Sequence, residues 1–428
     1  MRDCSRVLPR FVVAGIALAA IPATADSPMP TDGHLSLDQA QRLLVERNPD
    51  LLAAQAAVRG AEADRVAAGE RPNATFSVNT SNFNLDHGIG SGSPWDKRTD
   101  SVFRIDQTFE RGGKRHLRLR QSGANLDAAR DDYADAVRQQ RLALAQAYWD
   151  LKRATDKLAV ARDVAALEHR SLDLLELRLK HGDIARLDVS RLRIETARAD
   201  ADANAADAKR SDARIALAAL IDLPGQAAQL DAGDAWPTFA PPADAHAGAS
   251  GTRSDVAAAR ARLGAASSGV DLARAQRTRD VTIGALYEHF PPDGRNMLGV
   301  GISVPLFTGS RFDGEIGRAL ADRDAAESRL AGVELAARAD LARARADLAA
   351  AGTRVHRYDT DLLAEARDAD TSTETAYRVG GLSLTDLLDA RRNLKAVEDE
   401  AADAHADYAE ALAALAAAAP DDEDARTP

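Results

Sequence analysis

Aromatic side chains are scarce in this chain of 428 residues (4%), cysteine occurs once, at Cys4, and long unbroken apolar runs are missing. Hydrophobic residues still make up 45% of the chain, and alanine carries most of that count. Alanine is the strongest helix former, so the composition points to helices packed on helices. It supplies little of the aromatic and branched lining that catalytic pockets use, which argues against an enzyme. No stretch after residue 25 reaches the roughly 18 apolar residues of a membrane-spanning helix. If the chain crosses a membrane, it must do so with strands. The formal net charge of -11 argues against a nucleic-acid partner, which needs a clustered basic surface.

The N-terminus reads as an export signal. Arg2, Arg6 and Arg10 precede the apolar run Phe11 to Ile21, and Ala23-Thr24-Ala25 gives a small-x-small cleavage site before Asp26. Residues 1–25 are therefore expected to be removed. Cys4 goes with them, and nothing at the cleavage point suits lipid attachment. An exported chain without disulfides must be held by packing, assembly or membrane.

The remainder repeats itself. A first repeat, 26–222, is expected to hold helices from Leu35, strands at about 74–85 and 101–109, a long helix at about 113–180 and another at about 184–220. In the strands, Phe76 and Val78, then Phe103, Ile105 and Phe109, alternate with polar residues. In the long helix, Leu144, Leu151, Leu158, Ala165, Leu172 and Leu179 recur every seven residues, the period of a left-handed coiled-coil seam. Such a helix is about 100 Å long. A Pro/Gly-rich linker or equatorial segment, 223–252, precedes a second repeat, 253–419. Its strands are expected at about 280–290 and 297–305, its long helix at about 311–379 and its last helix at about 382–419. An acidic tail, 420–428, ends the chain. Phe109 and Phe307, like Gly182 and Gly380, lie 198 positions apart. Self-similarity on this scale is an internal duplication.

Four strands of about ten residues are long enough to span a bilayer. They are too few for a barrel, which takes about eight or more, and an open edge is not tolerated in lipid. Closure must come from other copies: two chains give eight strands and three give twelve. The long helices would then project from the membrane around the same axis as a tube.

At this point the residues carry a resemblance. The stretches ERNPDLLAAQAAVRGAE (from Glu46), TSNF (from Thr80), QTFERGGKR (from Gln107), VPLFTG (from Val304) and YRVGGLSLTDLLDARR (from Tyr377) resemble TolC-type outer-membrane efflux proteins over essentially the whole mature chain. TSNF and ERGGKR are most similar to the outer-membrane components of cobalt/zinc/cadmium-type cation efflux systems. The resemblance implies a mainly helical homotrimer with a twelve-stranded β-barrel in the outer membrane and an α-helical periplasmic tunnel. It implies docking to a periplasmic adaptor (membrane fusion) protein and an inner-membrane pump of the resistance-nodulation-division type. The duct so implied is passive and conducts heavy-metal cations. The same duct for drugs or type I protein secretion is the nearest alternative. A periplasmic coiled-coil adaptor is the alternative of another class, and the duplicated strand pairs argue against it.

The resemblance also places a site. The tips Lys180, His181, Gly182 and Asp183, and Arg378, Val379, Gly380 and Gly381, are implied to meet the adaptor. Asp386, Asp389, Asp188 and Tyr377 are implied to form the periplasmic gate. Asp386 and Asp389 share a helical face, and in a trimer each acid becomes a ring of three that attracts cations. Ser383 three residues before Asp386 is equally a capping box, so Asp386 reads as gate, cap or both. Leu382 and Leu187 stand where a well-studied member of the family carries an arginine and a threonine of its closing network. The nine histidines are scattered and no closed metal site, phosphate loop or nucleophile–base motif appears, so no cofactor is expected.

Overall fold

A computed structural model describes residues 34–83, 88, 90–93, 99–182, 184–240, 251–290 and 295–420. The expected signal peptide, Asp183 and residues 421–428 of the tail lie outside the described residues.

A short strand β1 (His34–Leu35) leads into α1 (Leu37–Arg47) and α2 (Pro49–Gly69). Ser36 and Gln39 form a reciprocal capping box that starts α1. Asn48, 3% exposed, closes α1 and starts α2. Its side-chain oxygen accepts from the Asp50 and Leu51 N–H groups, and its amide donates to the Leu220 carbonyl at 2.9 Å. Strands β2 (Thr75–Ser81) and β3 (Asp100–Phe109) follow, then α3 (Lys114–His181) and α4 (Arg186–Leu220). After a tight turn and β4 (Asp231–Ala232), which pairs in parallel with β1, the plan restarts. It gives α5 (Ser254–Ala275), β5 (Val281–Phe290), β6 (Arg295–Ser303), α6 (Asp313–Arg357), α7 (Leu363–Arg378) and α8 (Leu384–Ala418).

The 68-residue α3 is about 100 Å long and is the central post, packed against α2, α4, α5 and α8. Its heptad leucines Leu144, Leu151 and Leu158 are buried. At its middle Leu44, Tyr148, Leu217, Ile221 and Leu230 close the largest apolar cluster. The segment expected as a linker contributes to this core. Trp236 stacks between Trp149 (5.4 Å) and His405 (5.6 Å), and its indole N–H donates to Asp156.

The second long helix is one run of right-handed helical backbone from Asp313 to Arg378 with a change of pitch inside it. Tyr358–Leu362 form a wide π turn between α6 and α7. The turn is held against α8. The Tyr358 hydroxyl donates to Glu400 at 2.8 Å and His405 Nε2 sits 3.1 Å from the Asp359 carboxylate, so both residues are drawn toward α8. Wide turns of this kind are rare inside α-helices and leave one turn out of register.

The four long strands form one antiparallel sheet in the order β2-β3-β5-β6. The register puts Phe76, Ile105, Ala285 and Val300 in one row and Val78, Phe103, Tyr287 and Leu298 in the next, on the same face. The opposite face carries rows Ser77–Arg104–Leu286–Gly299 and Thr75–Asp106–Gly284–Gly301. Leu298 and Val300 are 86% and 89% exposed, so this apolar face meets little of its own chain.

Candidate functional site at the helix tips

Both hairpins turn at a glycine in the left-handed region. Gly182 (φ 81°) closes α3, its N–H reaching the Arg178 and Leu179 carbonyls. Gly380 (φ 79°) follows α7, and the Gly381 N–H donates to the Ala376 carbonyl at 2.8 Å. A side chain other than hydrogen is disfavoured there. Lys180, His181, Arg378 and Val379 are exposed or partly exposed around these turns, and Arg378 pairs with Glu374 at 2.6 Å.

The two tips lie side by side. Leu175 of α3, Val189 and Leu192 of α4 and Leu388 of α8 form one buried cluster, with Leu172, Leu179, Ile184 and Leu384 around it. Asp188 directly precedes Val189 and Asp389 directly follows Leu388, so both acids flank the same apolar contact. Leu387 and Leu388 are buried, whereas Asp386 and Asp389 are exposed.

Asp386 caps α8. Its Oδ2 accepts from the Ser383 N–H at 2.9 Å and from the Ser383 hydroxyl at 2.7 Å. The Ser383 hydroxyl and N–H hold this carboxyl below the usual carboxylate range. Both contacts use one oxygen, which leaves the other toward solvent. Asp389 pairs with Arg392 at 2.9 Å, and Arg392 also reaches Glu195 of α4 at 2.8 Å. Asp188 is half-buried at the third position of α4, where the helix dipole favours a negative charge. Position 185, which corresponds to Ser383, is an alanine and gives no side-chain cap. Tyr377 is half-buried in the last turn of α7. Leu187 and Leu382 are 59% and 41% exposed.

Sequence reasoning missed a charged group behind the tips. Arg391, 7% exposed, reaches from α8 to Ser171 (3.0 Å) and Glu168 (3.5 Å) of α3, and Glu168 is 6% exposed. Burial pushes Glu168 up, against the attraction of Arg391, and burial likewise raises Asp370 of α7 nearby. The signal was present in the pattern. Arg391 falls on the buried stripe of Leu384, Leu387 and Leu388, where an arginine is out of place unless paired. It ties the second hairpin to the first. Among the described residues no group of three or more His, Cys, Asp or Glu side chains could hold a metal ion, and no helix is long and apolar enough to cross a membrane.

Comparison with known proteins bears on the fold and the family. The chain is 26% identical over 388 residues to the pyoverdine export outer membrane protein OpmQ of Pseudomonas putida, covering 86% of this chain and 82% of the relative. Its fold matches that of the outer membrane protein VceC of Vibrio cholerae with a TM-score of 0.73 and 22% identity, over 90% of this chain and 97% of VceC. It matches the CmeC outer membrane channel of Campylobacter jejuni with a TM-score of 0.75 and 17% identity, over 89% of this chain and 85% of CmeC. The sequence profile described as "Outer membrane efflux protein" matches residues 41–222 and 249–419. With both repeats matched, this chain belongs to the outer membrane efflux protein family.

Proposed function

We propose that three copies of this chain, each exported by its cleaved signal and not lipidated, close into a twelve-stranded barrel in the outer membrane above a helical periplasmic tunnel. The assembly is the passive exit duct of a tripartite pump. Its cargo is heavy-metal cations of the cobalt, zinc and cadmium class. The observation that carries this reading is the four-stranded sheet, with one apolar exposed face and open edges at β2 and β6. Unpaired strand edges are not tolerated in lipid, and cyclic pairing of β2 with a neighbour's β6 removes them.

In this assembly, the tips Lys180 to Asp183 and Arg378 to Gly381 contact the adaptor, and an inner-membrane pump of the resistance-nodulation-division type supplies the energy. Asp188, Asp386 and Asp389 become rings of three at the entrance, with Tyr377 beside them. Asp386 serves both roles, because its cap uses a single oxygen. Leu382 and Leu187 cannot hydrogen-bond across the entrance, so the closing contacts are apolar at those positions.

Single-channel recording in planar bilayers tests the gate. Asp386→Ala combined with Asp389→Ala is expected to raise resting conductance and weaken cation preference. Unchanged conductance and selectivity contradict the acid rings. The relative named for pyoverdine export favours a second cargo, a secreted organic compound. Sensitivity of a deletion strain to cobalt, zinc and cadmium separates the two: hypersensitivity supports cations, and unaltered tolerance favours the second cargo.

A further inference from the structure

The helix-side end of the sheet is marked by the register of Phe109 against Val281 and of Thr282 against Ser303. Basic residues gather there. Three of them are neutralised within the chain. Lys114 lies 2.9 Å from both Asp280 oxygens, Arg118 pairs with Glu110, and Arg277 pairs with Asp313 while donating to the Arg311 carbonyl at 2.9 Å. Three others, Arg111, Arg279 and Arg311, have no carboxylate partner among the described residues.

Aromatic rings accompany these arginines. The Arg279 guanidinium sits 5.5 Å from the Phe307 ring centroid, and Phe307 meets Phe312 edge-on at 5.1 Å. Phe312 has φ 60°, a conformation sterically disfavoured for a bulky side chain, and the edge contact with Phe307 packs against its ring there. Arg277, Phe307, Ser310, Arg311, Phe312 and Asp313 line an open concavity of about 380 Å³. The apolar stripe Leu298, Val300 and Ile302 continues toward it through Val304 and Leu306, the latter 75% exposed. Charge and apolarity therefore change over within a few residues, the profile of a headgroup boundary.

We infer that this concavity binds the phosphate of an anionic glycerophospholipid in the leaflet nearer the helices, with Arg311 on its wall and Arg279, which lies beside it against the lining ring of Phe307, as the phosphate contacts and the Val304–Leu306 stripe under the acyl chains. Guanidinium groups suit phosphate because they offer several donors in a planar fork. Asp313 does not oppose the anion, since Arg277 already pairs with it. Arg279 keeps its orientation by lying against Phe307. This inference rests on the reading of the strands as membrane segments.

The test uses the full-length protein extracted in detergent and titrated with phosphatidylglycerol or phosphatidylcholine under native mass spectrometry. The wild type is expected to retain phosphatidylglycerol several-fold over phosphatidylcholine. Arg279→Gln with Arg311→Gln should remove that preference, and Arg279→Lys with Arg311→Lys should keep most of it. Inorganic phosphate should not displace the lipid. Equal retention of the two lipids by the wild type, or undiminished preference in the glutamine variant, overturns the inference. Displacement by inorganic phosphate also overturns it, by assigning a free-anion site. Insertion into phosphatidylcholine vesicles is measured alongside. Failure to insert sinks the membrane reading and this inference together, whereas insertion without lipid preference sinks this inference alone.

Discussion

The two repeats share one plan and differ in how firmly they are held. In the first, α3 is a single helix with buried positions along most of its length; in the second, α6 has four buried residues, α7 has none, and the wide turn at Tyr358–Leu362 separates them. At the tips the contrast reverses. The second tip starts α8 with a serine cap, while the first starts α4 at Ala185 with none. Asp188 and Asp386 stand 198 positions apart, each at the third residue of its helix. One carboxylate is bonded to a serine and the other is not. Duplication has therefore conserved where the chain turns while the bonding of the acids has diverged. The second repeat is less covered by its own chain.

The largest expected effect breaks the tie between the repeats. Arg391→Ala leaves Glu168 buried without its partner and should cost about 3–5 kcal/mol, read as a fall in thermal midpoint. Arg391→Met with Glu168→Gln should recover much of it, because neither residue then carries a charge; no recovery would contradict the unpaired buried carboxylate as the source of the loss. Next, the two turns should respond alike. Gly182→Ala and Gly380→Ala each force a left-handed alanine costing about 1–2 kcal/mol, and no heavy atom within 4 Å adds a clash at either. Clearly unequal penalties in denaturant titrations would undo the equivalence of the tips.

The cap itself gives a smaller effect. Ser383→Ala should cost about 1 kcal/mol, and Ala185→Ser should stabilise the first tip by building the bond that Asp188 now lacks; opposite signs in calorimetry would refute the assignment. The smallest effect is pH-dependent. Burial first, then repulsion from Asp150, pushes Glu410 of α8 up to about 7. The folded chain holds this proton more tightly than the unfolded one, so stability is full below the unfolded value of about 4.5 and is lost as pH rises through 7. Glu410→Gln should raise the thermal midpoint at pH 8 and leave it unchanged near pH 4. A gain of the same size at both values would contradict the shift.

Much of this architecture was legible from residues whose signals are local. The seven-residue leucine period, the glycines at the turns and the alternation of Phe76, Val78, Phe103 and Ile105 report on their own helix or strand. The wide turn was not legible, because the side chains it meets, Glu400 and His405, lie more than 40 positions from Tyr358 and Asp359 in sequence. For the same reason, the partner of Arg391 could not be read, since Glu168 is 223 positions away. At the site, the ambiguity between cap and gate at Asp386 was visible in the Ser383 spacing. The role of Trp236 in the core was hidden in a segment whose prolines and glycines suggested only a linker.

The most direct measurement is the mass of the detergent-extracted particle. Light scattering corrected for bound detergent should return three chains, with nothing recovered in the aqueous phase when detergent is removed. A single chain that stays dispersed in water, with β2 and β6 protected from amide exchange, would contradict the account at its root.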